Sequence, residues 1–189
     1  MYCMWLGDST LNYVFDQGIS LRLCDSGGNA LKVRQPFGDE DYLGEERDFY
    51  GGHFFCATDY SEKHDKVILA MSSLPRLYIF DMNDNRNLSI RYGRKSDKQL
   101  ISELKSPDCV FPPCFMYSMA MDDCIYTLCV DPEAALKGEM RQEIRIYSWS
   151  GEYLKKISIP DFLINFIVSD DCSRVIGITP SSELIEYVL

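Results

Sequence analysis

EIRIYSWSGEYLKKISI, Glu143–Ile159, is the stretch whose reading decides the fold. Ile144 and Ile146 flank Arg145, the period-two pattern of a strand with one face buried. Ser150 and Gly151 supply a tight turn, and Tyr153–Ile159 resumes as a second strand. The phrase recurs upstream as SLRLCDSGGNALK at Ser20–Lys32 and as RLYIFDMNDNRNL at Arg76–Leu88. A shorter form, ELIEYVL, occupies Glu183–Leu189. A hairpin repeated along a chain speaks for architecture before any single residue speaks for chemistry.

Working outward from each copy gives the same sequence of strands. Around the third copy, Cys114–Asp122, Cys124–Val130, Glu143–Trp149 and Tyr153–Ile159 read as a four-stranded antiparallel meander ended by Pro160. The second copy reads as Phe54–Asp59, Lys66–Met71, Arg76–Met82 and Asn87–Tyr92. Its last turn is Asn83-Asp84-Asn85, and Pro75 enters the third strand where no donor is needed. The first reads as Tyr2–Leu6, Leu11–Phe15, Ser20–Cys24 and Ala30–Arg34, with Gly27 and Gly28 in the turn. The last offers Ile164–Ser169, Arg174–Thr179 and Glu183–Leu189, and no fourth strand.

Insertions make the spacing of the copies irregular. Residues 38–50 form an acidic connection carrying Asp39, Glu40, Asp41, Glu45, Glu46 and Asp48. Ser96–Lys105 has Leu100, Ile101 and Leu104 on one side of a short amphipathic helix. Asp131–Gly138 reads as a helical turn with Asp131 as N-cap, Pro132 at its first position and Gly138 as its stop.

Four-stranded meanders repeating every ~40–60 residues are the mark of β-propeller blades. The expectation is an all-β chain, a partial, open-arc β-propeller of about four blades whose last blade lacks its fourth strand. The blades fall near 1–37, 51–95, 110–160 and 161–189, within one repeat domain over 1–189. An irregular β-sandwich competes, but it needs no common hairpin in every copy.

These residues resemble the TolB-like six-bladed β-propeller family of bacterial proteins. Ile144–Ile159 follows the family's blade phrase, I-x-V-Y-D-W-x-G-x-x-x-x-x-I-x-L, and ELIEYVL is similar to its ELIKY-L ending. The resemblance covers nearly the whole chain, and its motifs are blade signatures, so it implies a fold and hardly any chemistry. Six blades at ~45 residues each need roughly 270–300 residues, more than the 189 here. The expectation is that an ancestral N-terminal portion is missing, which leaves two exposed blade flanks and a route to self-association.

Composition narrows the function classes. At 46% hydrophobic and 13% aromatic, the chain can fill a core. Its formal net charge of −10 disfavours nucleic acid and anionic lipid, whose phosphates need a basic surface. The N-terminus shows neither the basic region nor the apolar run of a signal peptide. No stretch approaches the ~18 apolar residues of a membrane span. A cytoplasmic location is expected, or an extracytoplasmic one if the chain trails a longer precursor.

The eight cysteines form no CxxC and are accompanied by only two histidines, so zinc-ligand spacing is absent. Cys3, Cys24, Cys56, Cys124 and Cys129 fall in apolar runs and read as buried thiols; Cys172 follows the Asp170–Asp171 turn. A Cys109–Cys114 bridge would need an oxidising compartment.

The search for chemistry returns turn residues. His53 follows Gly51-Gly52 at a strand entry, and His64 sits in a polar turn; both read as structural or solvent-facing. The pairs Asp122–Asp123 and Asp170–Asp171 follow first strands, where calcium carboxylates occur in some propellers, but turn chemistry is the stronger reading of them. Residues 39–48, interleaved with Tyr42, read as a solvated loop or a recognition loop. Trp149 reads as a contact with the neighbouring blade. GxSxG, Walker and GxGxxG patterns are missing.

No catalytic, cofactor or metal residue is assigned, no cofactor is expected, and the chain reads as a non-enzyme. The leading expectation is a non-catalytic binding or scaffold module for a protein, peptide or glycan. The alternatives are a lactonase- or hydrolase-like propeller enzyme with a channel metal, and a fragment without independent function.

Overall fold

The computed structural model describes residues 2–6, 8–15, 19–34, 56–72, 74–84, 86–92, 99, 102, 114–131, 134 and 138–189. Among them, strands in chain order form four open antiparallel sheets. The first contains β1 (Tyr2–Leu6), β2 (Ser9–Phe15), β3 (Ile19–Asp25) and β4 (Ala30–Arg34). The second contains β5 (Cys56–Ser61), β6 (Lys66–Met71), β7 (Arg76–Asp81) and β8 (Asn87–Arg91). The third contains β9 (Phe115–Ala120), β10 (Cys124–Val130), β11 (Gln142–Ser148) and β12 (Tyr153–Ile159). The fourth has three strands, β13 (Asn165–Val168), β14 (Arg174–Ile178) and β15 (Leu184–Val188). Within every sheet spatial order equals chain order, which makes each a meander.

The turns explain why these residues form hairpins. Asp25–Asn29, Ser148–Glu152 and Thr179–Glu183 each close a three-residue loop whose last residue has positive φ: Gly28 (81°), Gly151 (84°) and Ser182 (65°). This is a type I turn followed by a left-handed residue, the usual three-residue connection. In each, the first side chain accepts the last residue's N–H. Asn29 donates to Asp25 Oδ1 at 2.8 Å, Glu152 to Ser148 Oγ at 3.0 Å and Glu183 to Thr179 Oγ1 at 3.2 Å. The sequence reading of Ser150–Gly151 as the whole turn is corrected here, because Trp149 belongs to the loop. The β7–β8 turn differs: Asp81 Oδ1 accepts the N–H groups of Asn83 (2.9 Å) and Asp84 (3.2 Å).

The chain divides into two compact units, Met1–Phe54 with Phe80–Asn87, and Phe55–Ile79 with Leu88–Leu189. In the first, Leu11, Leu21 and Cys24 are buried. Lys32 Nζ donates to Asn83 Oδ1 at 2.8 Å.

In the second unit, alternation along β10 and β11 gives the third sheet two buried faces. Ile125, Cys129 and Tyr147 join Ile68, Ala70, Leu77 and Ile79 of the second sheet in one core. Tyr126, Leu128, Ile144 and Ile146 join Phe166, Val168 and Val175 of the fourth sheet in another. Strands buried on both faces read as near-continuous apolar runs, as CIYTLCV does.

Between β10 and β11, Asp131 Oδ1 accepts the N–H of Ala134 at 3.3 Å. Ala134 in turn accepts the N–H of Glu139 at 2.9 Å, and Gly138 has φ 78°. Asp131 therefore caps this segment and Gly138 ends it; Pro132 lies outside the described residues. Cys114, one half of the bridge considered with Cys109, is a buried free thiol, and Cys109 lies outside the described residues. Burial pushes the Cys114 thiol up to about 12, which leaves it a small, inert core side chain.

Candidate functional site

Three hairpin tips meet at one end of the second unit, and they bring together His64, the Asp122–Asp123 pair and Trp149. The β5–β6 turn contributes Lys63 and His64, the β9–β10 turn Asp122 and Asp123, and the β11–β12 turn Trp149. His64 lies against Trp149 with ring centroids 4.8 Å apart and an interplanar angle of 31°. Its Nε2 is 2.7 Å from the carbonyl oxygen of Asp122. A carbonyl can only accept, so Nε2 carries the proton and His64 is fixed as a donor there. The Trp149 indole N–H donates to the carbonyl of Met121 at 3.0 Å. Trp149 is therefore a contact between neighbouring sheets, with its polar edge satisfied.

Lys63 Nζ sits 3.5 Å from a carboxylate oxygen of both Asp122 and Asp123. These groups are widely solvated, with Asp122 80% and Asp123 93% exposed, so the pairs add little to stability. Asp122 and Asp123 form a two-residue loop closed by the Met121 N–H donating to the Cys124 carbonyl at 2.9 Å.

In the second acidic pair, Asp171 is occupied by turn chemistry. Asp171 accepts the Ser169 hydroxyl at 2.6 Å, the Ser173 N–H at 3.0 Å and the Ser173 hydroxyl at 2.8 Å. These donors hold its carboxyl down at about 2, Ser169 contributing most. Cys172 adopts φ 55° at the end of that turn.

Two polar arrangements, one half-buried and one buried, escape sequence reading. On β5, Asp59 accepts the N–H of Ala120 at 2.6 Å and that of Tyr60 at 2.8 Å. Burial pushes its carboxyl up, and the two N–H donors pull it partly back. On the third sheet, Glu143 is only 6% exposed and pairs with both Arg145 and Lys156, the latter at 2.8 Å. The Arg145 guanidinium lies 4.1 Å from the centre of the Tyr92 ring, whose hydroxyl donates to the Cys114 carbonyl at 2.8 Å. The signals existed only as isolated letters, charged residues inside apolar runs, and the Ala120 partner of Asp59 lies 61 positions away.

His53 and the acidic run 39–48 lie outside the described residues, as does most of Ser96–Lys105, where only Gln99 and Ser102 are described. Among the described residues, no three His, Cys, Asp or Glu side chains are placed to hold one metal ion. No helix among them is long and apolar enough to cross a membrane.

No family model matches the chain, and no curated protein matches it. Solved structures do. The WD40 domain of Toxoplasma gondii coronin superposes with a TM-score of 0.59 at 10% identity, over 99% of this chain and 42% of that one. The fold is that of a β-propeller.

A structure of the mitotic checkpoint complex aligns at 0.54 and 9% identity, over 97% of this chain and 46% of that one. The computationally designed Ika4 protein aligns at 0.55 and 7% identity, over 99% of this chain and 89% of that one. The chain spans less than half the length of the first two. At such identities the likeness speaks for the fold alone. The blade phrase at Ile144–Ile159 is thus accounted for as a propeller hairpin, without a family match behind it.

Proposed function

We propose that this chain is a non-catalytic binding module of β-propeller type, with a protein or peptide as its partner. The observation that carries the reading is the commitment, among the described residues, of Asp59, Asp171, Glu143 and the His64 Nε2 proton. Asp59 and Asp171 are taken up by backbone N–H and hydroxyl donors, and Glu143 by Arg145 and Lys156. His64 spends its Nε2 proton on a carbonyl. A catalytic group needs a free lone pair or proton within reach of substrate, and the Asp59, Asp171 and Glu143 carboxylates are engaged in holding strands and turns.

The solved propellers support the choice of partner. One belongs to a checkpoint complex and another is a WD40 domain of coronin, and in both this architecture sits within a larger protein or assembly. We read the four sheets as successive blades of one repeat domain over 1–189, of TolB-like kind, on the strength of the Ile144–Ile159 phrase.

The test is reconstitution. The purified chain is used to isolate a partner, and the two purified components are then titrated calorimetrically for a fixed stoichiometry. The reading expects saturable binding and no turnover of ester or lactone substrates. Chelator-sensitive hydrolysis by the purified chain would contradict it and favour the channel-metal enzyme.

A further inference from the structure

β15 has the sequence of an inner strand and the exposure of an outer one. In the third sheet, Ile144 faces Leu128 and Ile146 faces Tyr126 across the β10–β11 pair. In the fourth, Leu184 faces Ile178 and Glu186 faces Ile176 across β14–β15. Tyr147 and Tyr187 occupy matching places, each turned to the core shared with the preceding sheet. Leu184 therefore stands where Ile144 stands. Ile144 is 0% exposed beneath the fourth sheet, whereas Leu184 is 74% exposed and Val188 82%. Ile167, on the same face through Ile176, is 54% exposed.

The edge is open as well as the face. The Thr179 N–H donates to the Glu183 carbonyl at 3.0 Å, and the Leu189 N–H to the Ser173 carbonyl at 2.8 Å. Antiparallel pairs alternate, so the N–H and C=O groups of Ile185 and Tyr187 point to β14, and those of Leu184, Glu186 and Val188 point outward. Among the described residues no strand pairs with that outer edge.

The other sheets say what chemistry such an edge takes. Their fourth strands are ALKVR, NLSIR and YLKKISI, in which apolar residues alternate with Lys32, Arg34, Arg91, Lys155 or Lys156 and no acid occurs. Lys156 reaches back to Glu143 on the third strand at 2.8 Å. β15 offers Glu186 at its centre, and among the described residues Glu186 is tied to Arg174 at 3.4 Å on a half-exposed surface. A second copy, carrying net charge −10, is repelled where a cationic strand is attracted.

We propose that the outer edge of β15 takes an extended segment of a partner protein, alternating apolar with lysine or arginine residues, as an added antiparallel fourth strand. The inference rests on the binding-module reading and names its site and the partner's chemistry. Backbone hydrogen bonds to Leu184, Glu186 and Val188 give affinity, and the Glu186 carboxylate with the apolar face gives selection.

The probe is the peptide YLKKISI, titrated against the full chain by fluorescence anisotropy. Controls are YLEEISI and a YLKKISI N-methylated at alternate backbone positions. We expect saturable binding, at least tenfold weaker for YLEEISI and absent for the N-methylated form, with slowed exchange of the Leu184, Glu186 and Val188 amides. A Glu186→Lys variant with unchanged melting should reverse the preference between the two peptides. Equal binding of all three peptides overturns the proposal in favour of adhesion to the apolar face. Concentration-dependent protection of these amides without peptide overturns it in favour of a second copy. Failure of YLKKISI to bind also overturns it, and leaves the binding-module reading standing as long as the chain shows no turnover.

Discussion

Asp59 on β5 and Ala120 at the end of β9 are joined by a 2.6 Å hydrogen bond between the carboxylate of one and the N–H of the other, 61 positions apart. This bond ties the first strand of one sheet to the first strand of the next. Asp59→Ala leaves the Ala120 N–H without its acceptor, and a buried unsatisfied donor costs about 1–3 kcal/mol. Urea unfolding near pH 4, where the Asp59 contribution is largest, should show a loss in that range; a loss below about 0.5 kcal/mol contradicts the role assigned to the bond.

The two shifted aspartates predict opposite pH dependences. Asp171 is held down at about 2, so the stability it contributes is present above its unfolded value of about 3.9 and is lost as pH falls through 2. Asp59 is pushed up by burial, so its contribution is full below about 3.9 and fades as pH rises through its raised value. Denaturation midpoints followed from pH 7 to pH 2 should fall less steeply at the acid end for Asp171→Asn than for the natural chain. An unchanged acid limb would contradict the turn geometry.

Gly151 and Gly28 hold the same left-handed turn position in different surroundings. A Cβ at Gly151 would run into the Leu88 side chain, whereas one at Gly28 meets nothing within 4 Å. Gly28→Ala should therefore cost only the conformational penalty, about 1–2 kcal/mol. Gly151→Ala should cost more, because Leu88 must also move. Thermal unfolding of the two variants checks the order, and equal losses would place no neighbour against Gly151.

Trp149→Phe keeps a ring against His64 but leaves the Met121 carbonyl without its donor, for a loss of about 1–3 kcal/mol. Trp149→Ala also opens a cavity and should cost about 3–5 kcal/mol. Chemical denaturation of both variants measures the difference, and a loss for Trp149→Ala no larger than for Trp149→Phe would contradict ring packing at this site.

The four hairpins were legible because their information is local. Alternation in EIRIYSW and LIEYV, followed or preceded by Gly, Ser or Asp, specifies strand and turn within a dozen residues. β4, β6, β10 and β12 accordingly begin and end where the sequence places them. The contacts of His64 and Asp59 were illegible because each joins segments far apart. His64 reads as a solvated turn residue until the β9–β10 and β11–β12 tips are brought beside it. Glu143 reads as the polar face of a strand until a neighbouring sheet buries it. The turn at Ser148–Glu152 was misread by one residue because Trp149, an apolar letter after an apolar strand, counts as strand until its backbone is seen.

Residue-resolved amide exchange on the chain alone tests the central structural claim most directly: the third strand of the fourth sheet has an open edge. The account predicts protection at Ile185 and Tyr187, near-unprotected rates at Leu184, Glu186 and Val188, and protection throughout Ile144–Tyr147 of β11. Uniform protection along Leu184–Val188 would contradict it.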